Sequence, residues 1–445
     1  MALPAGALTP AHLTAMSRAF AADRTAKLAQ NAVTVTTIDD IALDRSVVTA
    51  IDTSVSDKVD TWPVANQKKS GRCWLFAGLN SFKQPFYRDL GMKEFEFSQA
   101  WLLFWDKLEK SNYLLTAMVE LADHDLDDRT VHHLLTHPTE DGGQWNMFVA
   151  LVTKYGVVPK FAMPETESSS NTRPMNTTLG TLLRRAARDV RTAALKQGEA
   201  AALAVKDEAM AQVYRLLSIH LGTPPTEFLW QYRDKDGVFH REGVMTPRQF
   251  ADTYLPADLA DYICVVNDPR PSSPYGRTFT VDHLGNVVGA APVVYLNAEI
   301  DVLRRAVIET IQDGTPVWFG CDTGKQSSRK LGIWDAHLFD YEGVYGVDMS
   351  MTKAEALQYG EAMMTHAMVF TGVDLVDGAP RRWRVENSWG EEPGEKGFFT
   401  MNDSWFDDHV FEVAVHRSRL PQELVAQLGT EPIVLPAWDP MGALA

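Results

Sequence analysis

The sequence Ser70-Gly71-Arg72-Cys73-Trp74 lies between a loop rich in Lys, Ser and Gly and an apolar helical pattern. From Trp74 to Asp89, large apolar residues recur at spacings of three and four, which predicts a helix that begins next to Cys73. A thiol at a helix N-terminus is close to unpaired backbone N–H groups and to the positive end of the helix dipole, and both favour the thiolate. Cys73 is therefore a candidate nucleophile, although a free cysteine is more often a buried, inert side chain.

Three other residues have the chemistry that a cysteine nucleophile needs. Gln67 precedes Cys73 in the same loop, and its amide N–H with the Cys73 backbone N–H would form an oxyanion hole. His366 heads an apolar, strand-like run and can act as a base, while the amide oxygen of Asn387 can orient its imidazole. Trp389 could shield that hydrogen bond from water. Taken singly, these are also ordinary loop, strand-end and turn residues.

Together, Gln, Cys, His and Asn stand in the chain order of papain-like enzymes, whose pattern around the nucleophile is C-G-[SA]-C-[WY]. This chain keeps Gly, Cys and Trp, but Ser70 replaces the first Cys and Arg72 replaces the small residue. The sequences Q-x-x-x-G-R-C-W, D-G-G-Q-W, M-T-H-A-M, E-N-S-W-G and the terminal W-D-P-M-G-A-L-A resemble those of the family of bleomycin hydrolase and its bacterial counterpart, aminopeptidase C. The resemblance runs from Gln67 to Ala445.

The resemblance implies an α+β fold of the papain-like, two-lobed type, with a helical lobe, a β-barrel-like lobe, a helical insertion and a C-terminal arm. The expected boundaries are an N-terminal helical extension over 1–50, a helical lobe with the nucleophile over 51–165, a mainly helical insertion over 166–290, a β-rich lobe with His366 and Asn387 over 291–416, and an arm reaching the active site over 417–445.

The resemblance also implies an aminopeptidase of broad specificity that can hydrolyse amides such as bleomycin, needs no cofactor and assembles as a homohexamer. It places Asp141, Gly142, Gly143 and Gln144 on the wall of the substrate cleft, where glycines would let an extended peptide approach the main chain. Trp74 and Trp389 would support the site. The C-terminal carboxylate, on Ala445, would pair with the free α-amino group of the substrate.

Local patterns predict individual elements. Helices are expected over 9–30, from Ser98 to about 109, over 179–220 and near 300–313, and a surface linker over 166–178. Strand-like runs occupy 316–320, 338–347, 366–374, 381–387 and 397–401. The arm has no strong periodic element, but the large apolar residues Trp438 and Met441 indicate that it docks on the body of the protein.

Composition limits the other classes of function. The 445 residues carry 42 Lys and Arg against 58 Asp and Glu, a net charge of −16, which argues against a nucleic-acid-binding protein. No apolar run is long enough for a membrane span, and the N-terminus lacks the pattern of a signal peptide. The 3 cysteines fit a reducing compartment, so a cytoplasmic location is expected.

Several candidate residues are set aside. His133 and His137 have a spacing that can bind zinc, but the acidic residue that a zincin needs between them is absent, so no metal site is expected. Cys264 lies in an apolar run and is expected to be buried and inert, whereas Cys321 has no clear role. His337 is the rival base, but the N-S-W-G motif serves His366 better.

Two other functions stay open at this point. One is an endopeptidase or amidase with an open cleft, which activity on amino-blocked substrates would favour. The other is a nucleic-acid-binding or scaffold protein, which a salt-sensitive mobility shift would support.

Overall fold

The computed structural model describes residues 6–59 and 62–443. Its first part is helical, and side-chain caps define the helix starts: Thr9 caps the first helix, Asp23 ends that helix and caps the second, and Ser98 caps the long central one. The helices are α1 Pro10–Ala22, α2 Arg24–Val33, α3 Ile38–Ala42, α4 Arg45–Ala50, α5 Cys73–Asn80, α6 Gln84–Arg88, α7 Gln99–Glu120, α8 Arg129–Thr136 and α9 Trp145–Tyr155.

Two long helices and a hairpin follow. Gly198, with φ +89°, separates the two helices, because a residue without a Cβ adopts this left-handed conformation without strain. The elements are α10 Glu167–Ser170, α11 Arg173–Gln197, α12 Glu199–Leu221 and α13 Pro247–Tyr254; the remaining helices are α14 Ile300–Gln312, α15 Tyr341–Tyr345, α16 Lys353–Tyr359, α17 Asp403–His409 and α18 Gln422–Val425.

Most strands belong to one mixed sheet. The strands are β1 Asp57–Lys58, β2 Phe228–Arg233, β3 Phe239–Met245, β4 Tyr262–Val266, β5 Arg277–Val281, β6 Tyr295–Asn297, β7 Val317–Cys321, β8 Ser327–Ser328, β9 Ile333–Trp334, β10 His366–Val376, β11 Ala379–Glu386, β12 Phe398–Asn402, β13 Val410–His416 and β14 Ile433–Leu435. The sheet has the order β14-β5-β6-β4-β13-β7-β10-β11-β12-β9-β8, with β1 pairing β10, while β2 and β3 form a separate hairpin.

The helical part and the sheet have separate apolar cores that meet at the candidate site. Cys73 belongs to the core of the helical part, and Cys321 belongs to the core of the sheet. Helix α5 packs against β10, and both elements begin at a candidate site residue, Cys73 for α5 and His366 for β10. The fold therefore brings the two ends together.

Several predicted elements are confirmed, and others are wrong. The strand-like runs near 317–321, 366–376, 379–386 and 398–402 and the helix over 300–312 are present. The predicted helix over 9–30 is two helices, and the long helix from Gln99 continues to Glu120. The linker prediction over 166–178 is wrong, because α10 and the start of α11 occupy it, with Ser169 and Thr172 buried.

The second part of the chain also differs from expectation. The prediction of a strand over 338–347 is wrong: α15 forms there, because the Asp340 side chain accepts a hydrogen bond from the Gly343 N–H and caps a short helix. The sheet takes β4 and β5 from before residue 291, where the β-rich lobe was expected to start. The arm contributes β14, which pairs in parallel with β5.

Candidate active site

Cys73 opens α5 and lies at the bottom of a cleft of about 410 Å³. Its side chain is buried, with a relative exposure of 2%. Gln67, Gly71 and His366 line the same cleft, so residues from the loop before α5 and from the start of β10 meet around the thiol. The candidate nucleophile, base and oxyanion donor therefore share one cavity.

The imidazole of His366 has a fixed orientation. Its Nε2 lies 2.9 Å from Oδ1 of Asn387, and that oxygen also accepts the backbone N–H of Ser388 at 2.7 Å. The Ser388 N–H requires an acceptor, so the atom of Asn387 that faces the imidazole is its oxygen. Nε2 of His366 therefore carries the hydrogen that this oxygen accepts, and Nδ1 is the basic nitrogen. The ring of Trp389 stacks on the imidazole at 5.1 Å between centroids and covers the hydrogen bond.

Burial favours the uncharged form of both groups. Desolvation raises the pKa of the Cys73 thiol to about 11, although the backbone N–H groups of Ala367 and Trp74 oppose the shift. Desolvation also lowers the pKa of His366 to about 4, with the Asn387 hydrogen bond acting in the opposite direction. A thiolate can form at neutral pH only if the proton passes to His366, since the resulting ion pair leaves the net charge of the site unchanged.

Gln67 is held at both ends of its amide. Nε2 donates to the carbonyl oxygen of Ser70 at 2.6 Å, and Oε1 accepts the hydroxyl of Ser388 at 2.5 Å. An amide nitrogen has two hydrogens, so one remains for the cleft. The backbone N–H of Gln67 also donates to the Ser388 carbonyl at 2.8 Å, which ties the loop before Cys73 to the segment after Asn387.

The departure at Arg72 has a structural reason. Its guanidinium is buried and forms a bidentate ion pair with Glu165, with N–O distances of 2.9 and 2.8 Å. Its Nε also donates to the hydroxyl of Ser70 at 2.9 Å. Arg72 thus fixes the turn that leads into α5 by an ion pair, in a chain whose cysteines are all free.

Asp141 lines the cleft, but its carboxylate is bound by other groups of the protein. It accepts the backbone N–H of Gly71 at 3.0 Å, the hydroxyl of Thr172 and the amide of Asn176 at 2.7 Å, and it pairs with Lys107 at 2.7 Å. The interactions with Lys107, Thr172 and Asn176 hold the pKa of this carboxyl well below its usual range despite burial. Asp141 therefore anchors the loop that carries Gly71 and Cys73.

The loop that follows Asp141 packs against Trp74 of α5. The indole of Trp74 donates to the Asp141 carbonyl at 2.7 Å, and a Cβ on Gly143 would lie 2.6 Å from this indole. Gly142 lines the cleft, and its carbonyl oxygen accepts a hydrogen bond from Nζ of Lys110 at 2.5 Å. Glycine at position 143 is thus required for the close approach of Trp74.

The C-terminal arm lines a second cavity, of about 620 Å³, that adjoins the cleft and shares Thr139, Glu140 and Thr365 with it. The buried Gln144 donates from Nε2 to the Ala443 carbonyl at 2.7 Å. Met441 is buried, as expected for a docked arm. The predicted role of Ala445 lies outside the described residues.

Other contacts fix the course of the arm. Arg270 pairs with Asp439 at 2.8 Å, and the guanidinium of Arg129 lies 4.0 Å from the ring centroid of Trp438. A Cβ on Gly442 would lie 2.8 Å from the side chain of Val281, so the arm is closely packed there. These contacts hold the last described residues beside the cleft.

The candidate residues that were set aside do not line the cleft, although Sγ of Cys321 lies 3.6 Å from the backbone carbonyl oxygen of His366. His137 pairs with Glu140 at 2.7 Å, and the exposed His337 is absent from the cleft lining. Within the described ranges, no group of three or more His, Cys, Asp and Glu side chains could hold a metal ion. Cys264 and Cys321 are buried, and burial raises the pKa of each thiol well above its usual value.

The sequence did not predict three residues that support the site by direct contact with its members. Glu165, Lys107 and Ser388 contact Arg72, Asp141 and Gln67, respectively. The unusual Arg72 was a signal, because an arginine next to a buried nucleophile needs a carboxylate partner. Lys107 and Ser388 gave no such signal.

Comparison with known proteins adds to this geometry. A family model described as Peptidase C1-like family matches residues 7–442. Aminopeptidase C of Listeria innocua is 47% identical over 390 residues, 88% of each chain, and bleomycin hydrolase of Homo sapiens is 45% identical over 431 residues, 94% of each chain. The crystal structure of PepW from Lactobacillus rhamnosis is 43% identical and superimposes with a TM-score of 0.97 over 99% of this chain and 100% of that chain.

The match covers both parts of the fold as well as the motifs around the cleft. The mixed helical and sheet architecture is therefore an α+β, papain-like fold, as the sequence indicated. In the part of the chain that the structure describes, no helix is long and apolar enough to cross a membrane. The chain belongs to the Peptidase C1-like family, in the bleomycin hydrolase and aminopeptidase C branch of papain-like cysteine peptidases.

Proposed function

We propose that this protein is a cysteine aminopeptidase of broad specificity that removes N-terminal residues from peptides. The observation that carries the proposal is the cleft that holds Cys73 and His366, with the imidazole oriented by Asn387 and the C-terminal arm lining the adjoining cavity. The relatives named aminopeptidase C support the same activity.

The chemistry is acyl transfer through a thioester. Cys73 passes its proton to Nδ1 of His366, and its sulfur attacks the carbonyl carbon of the first peptide bond. The backbone N–H of Cys73 and the free hydrogen of Gln67 Nε2 stabilise the oxyanion. The C–N bond breaks as His366 gives the proton to the leaving amine. Water, deprotonated by His366, then hydrolyses the thioester and restores the thiol.

The arm gives a reason for the removal of single N-terminal residues. An extended chain end beside the cleft fills the space that residues before the scissile bond would occupy. The contact of Gln144 with Ala443 fixes the chain two residues before its end, and the carboxylate of Ala445 would then pair with the α-amino group of the substrate. Asp141 and Gly142, which line the cleft, would form the wall along which the substrate lies, whereas Gly143 packs against Trp74.

A second candidate function is that of an open-cleft endopeptidase or amidase. The name of the human relative, bleomycin hydrolase, supports hydrolysis of bleomycin-like amides in addition to peptides. Hydrolysis of such amides is compatible with the same thioester chemistry. A nucleic-acid-binding or scaffold function has less support, because the net charge is −16.

Assembly and compartment are further parts of the proposal. We expect a homohexamer, and the exposed apolar side chains of Leu13, Met16 and Phe20 on α1 are compatible with burial against another copy. Analytical ultracentrifugation would measure the mass of the assembly. A cytoplasmic location fits the three free cysteines.

Fluorogenic aminoacyl substrates with free or acetylated amino groups test the activity, each with and without a thiol alkylator. We expect turnover of the free substrates only, complete inhibition by the alkylator, and no turnover by Cys73→Ala, which should remain folded. Cys264→Ala is the matched control that removes a buried thiol elsewhere, whereas Cys321→Ala removes one that contacts the backbone carbonyl of His366. Turnover by Cys73→Ala would refute the nucleophile, and preferred cleavage of acetylated substrates would favour the open-cleft endopeptidase.

A further inference from the structure

A basic cavity of about 730 Å³ opens beside the cleft that holds Cys73. Its lining includes four cationic side chains, Lys68, Lys69, Arg173 and Arg184, which come from the loop before Cys73 and from α11. A concentration of cations at one site is unexpected in a chain with a net charge of −16. The position of these cations next to the nucleophile suggests that they act on the substrate.

These four cations have no anionic partner within 4.0 Å among the described residues. All four residues are exposed. Arg184 donates only to main-chain carbonyls, those of Leu135 at 2.9 Å and Thr136 at 3.0 Å, which leave its charge uncompensated. The positive charge of the cavity is therefore available to a ligand.

The two carboxylates in the lining already have partners. Asp141 pairs with the buried Lys107 at 2.7 Å, and Glu140 lies 2.7 Å from Nδ1 of His137. The hydrogen bond to Glu140 raises the pKa of His137, which favours the cationic form of its imidazole. The four cations therefore outnumber the two carboxylates, each of which already has a partner.

The basic cavity is continuous with the cleft. The two share five lining residues, Gly71, Thr139, Glu140, Asp141 and Asn176. The cavity of the arm adjoins the cleft through Thr139, Glu140 and Thr365 instead. A residue whose carbonyl lies at Cys73 thus has two spaces around it, one lined by the arm and one lined by cations.

We propose that the basic cavity is a specificity site that binds the carboxylate side chain of the residue to be removed, so that the enzyme favours N-terminal Glu or Asp over the uncharged amides. The inference rests on the proposed aminopeptidase activity. With the amino group directed to the arm, the side chain of that residue enters the basic cavity. Attraction between opposite charges at the rim of a cleft acts on productive encounter as well as on binding.

The test compares kcat/KM for Glu-, Gln-, Ala- and Lys-aminomethylcoumarin, because Glu and Gln differ in charge but hardly in shape. We expect wild-type enzyme to prefer Glu over Gln by about tenfold at low salt, since each exposed ion pair contributes a factor of a few. Lys69→Glu and Arg173→Glu should each lower the Glu-to-Gln ratio by about fivefold, and the double variant should invert the preference. Added salt should reduce the wild-type ratio.

Lys235→Glu is the matched control, because it makes the same change in net charge at an exposed position that does not line the cavity. It should keep the wild-type Glu-to-Gln ratio, and thermal unfolding verifies that each variant folds. A wild-type ratio near one, a ratio unchanged in the double variant, or an equal loss on all four substrates would overturn the specificity site while leaving the aminopeptidase intact. Absence of turnover on every substrate would instead refute the proposed function.

Discussion

Nε2 of His366 lies 2.9 Å from Oδ1 of Asn387, and the same oxygen accepts the backbone N–H of Ser388. The second contact fixes the amide of Asn387, so its oxygen faces the imidazole and leaves Nδ1 as the base. When His366 takes the proton of Cys73, the positive imidazolium remains hydrogen-bonded to this oxygen. In the proposed mechanism, Asn387 orients His366 and stabilises its charged form, whereas His366 itself moves the proton.

This division of roles predicts unequal losses. His366→Ala should lower kcat/KM by roughly 10²–10⁴, because it removes the group that transfers the proton. Asn387→Ala should cost at least about tenfold less, since the imidazole stays in place and only its orientation and charge stabilisation weaken. Steady-state kinetics on a free aminoacyl substrate measure both. Equal losses in the two variants would give Asn387 a direct part in the reaction.

Alkylation of Cys73 should hardly depend on pH. The pKa of the thiol is raised to about 11 and that of His366 is lowered to about 4, so the protonation state of the pair is constant between these values. The rate of modification by iodoacetamide, followed by mass spectrometry of the Cys73 peptide, should therefore be flat from about pH 5 to pH 9.

His366→Ala provides the control for this measurement. Without a base, the thiolate fraction of a thiol with a raised pKa grows about tenfold for each pH unit, and the rate of alkylation should follow it. A wild-type rate that rose in the same way would mean that Cys73 does not pass its proton to His366.

Gln67 should act through its one free N–H. Gln67→Ala is expected to lower turnover by about 10²–10³, the usual loss for an oxyanion donor. Because Gln67 also bonds Ser70 and Ser388, part of the loss could come from the loop. Ser388→Ala is the matched control: it breaks the bond to Oε1 and leaves the donor in place, so its loss should be much smaller. An unchanged rate in Gln67→Ala would remove this residue from the oxyanion hole.

The local sequence predicted elements that are defined by neighbours in the chain. The strand after His366 has a strong apolar pattern and is present. The helix predicted from Trp74 to Asp89 is present as two helices, α5 and α6, with a break over 81–83. The segment around Asp340 was predicted incorrectly. Its apolar run indicated a strand, but the side chain of Asp340 caps a short helix there. Capping depends on one hydrogen bond, which periodicity does not record.

Site residues could be predicted where the residue type has few roles. They could not be predicted where a residue pairs with a partner that is distant in the chain. Cys73, His366 and Gln67 line one cleft, as expected from chemistry and motif order. The pairs Arg72–Glu165 and Lys107–Asp141 join residues that are distant in the chain, and no local pattern encodes such a partner. The basic cavity likewise forms only when α11 is placed beside the loop before Cys73.

A buried glutamate should make stability fall as the pH rises. Burial raises the pKa of Glu412 from 4.5 to about 7, and its Oε1 has no hydrogen-bond partner among the described residues. The folded protein therefore holds a proton that the unfolded chain releases above pH 4.5. The stabilisation from this bound proton is fully present below the pKa of the unfolded chain and is lost as the pH rises through the pKa of the folded protein. The free energy of unfolding should therefore fall by roughly 3 kcal/mol between pH 4 and pH 8.

Glu412→Gln should remove that dependence, because the amide is uncharged at every pH. Urea unfolding at several pH values would show the free energy of unfolding of the variant rising relative to wild type from pH 5 to pH 8. Glu423→Gln changes an exposed glutamate in the same way and should follow wild type. A constant difference between Glu412→Gln and wild type would mean that Glu412 is charged in the folded protein.

The arm should determine which end of a peptide the cleft accepts. It is fixed beside the cleft by Gln144 through Ala443 and by Arg270 through Asp439. Gln144→Leu keeps the size of the side chain but removes the hydrogen bond to the arm, and we expect it to weaken the preference for a free amino group. Kinetics on free and acetylated aminoacyl substrates, compared as a ratio, would measure this change.

Deletion of residues 442–445 should change the specificity more strongly. The space beside Cys73 would open, so acetylated substrates and internal bonds of longer peptides should be cleaved, while activity on free aminoacyl substrates should fall. Amidation of the full-length terminus should raise KM for free amines by removing one charge, without opening the cleft, because the arm still fills it. Arg270→Met removes the ion pair with Asp439 without shortening the chain, so it is the control for a loosened arm of full length. If the truncated enzyme kept the wild-type ratio of free to acetylated cleavage, the arm would have no part in specificity.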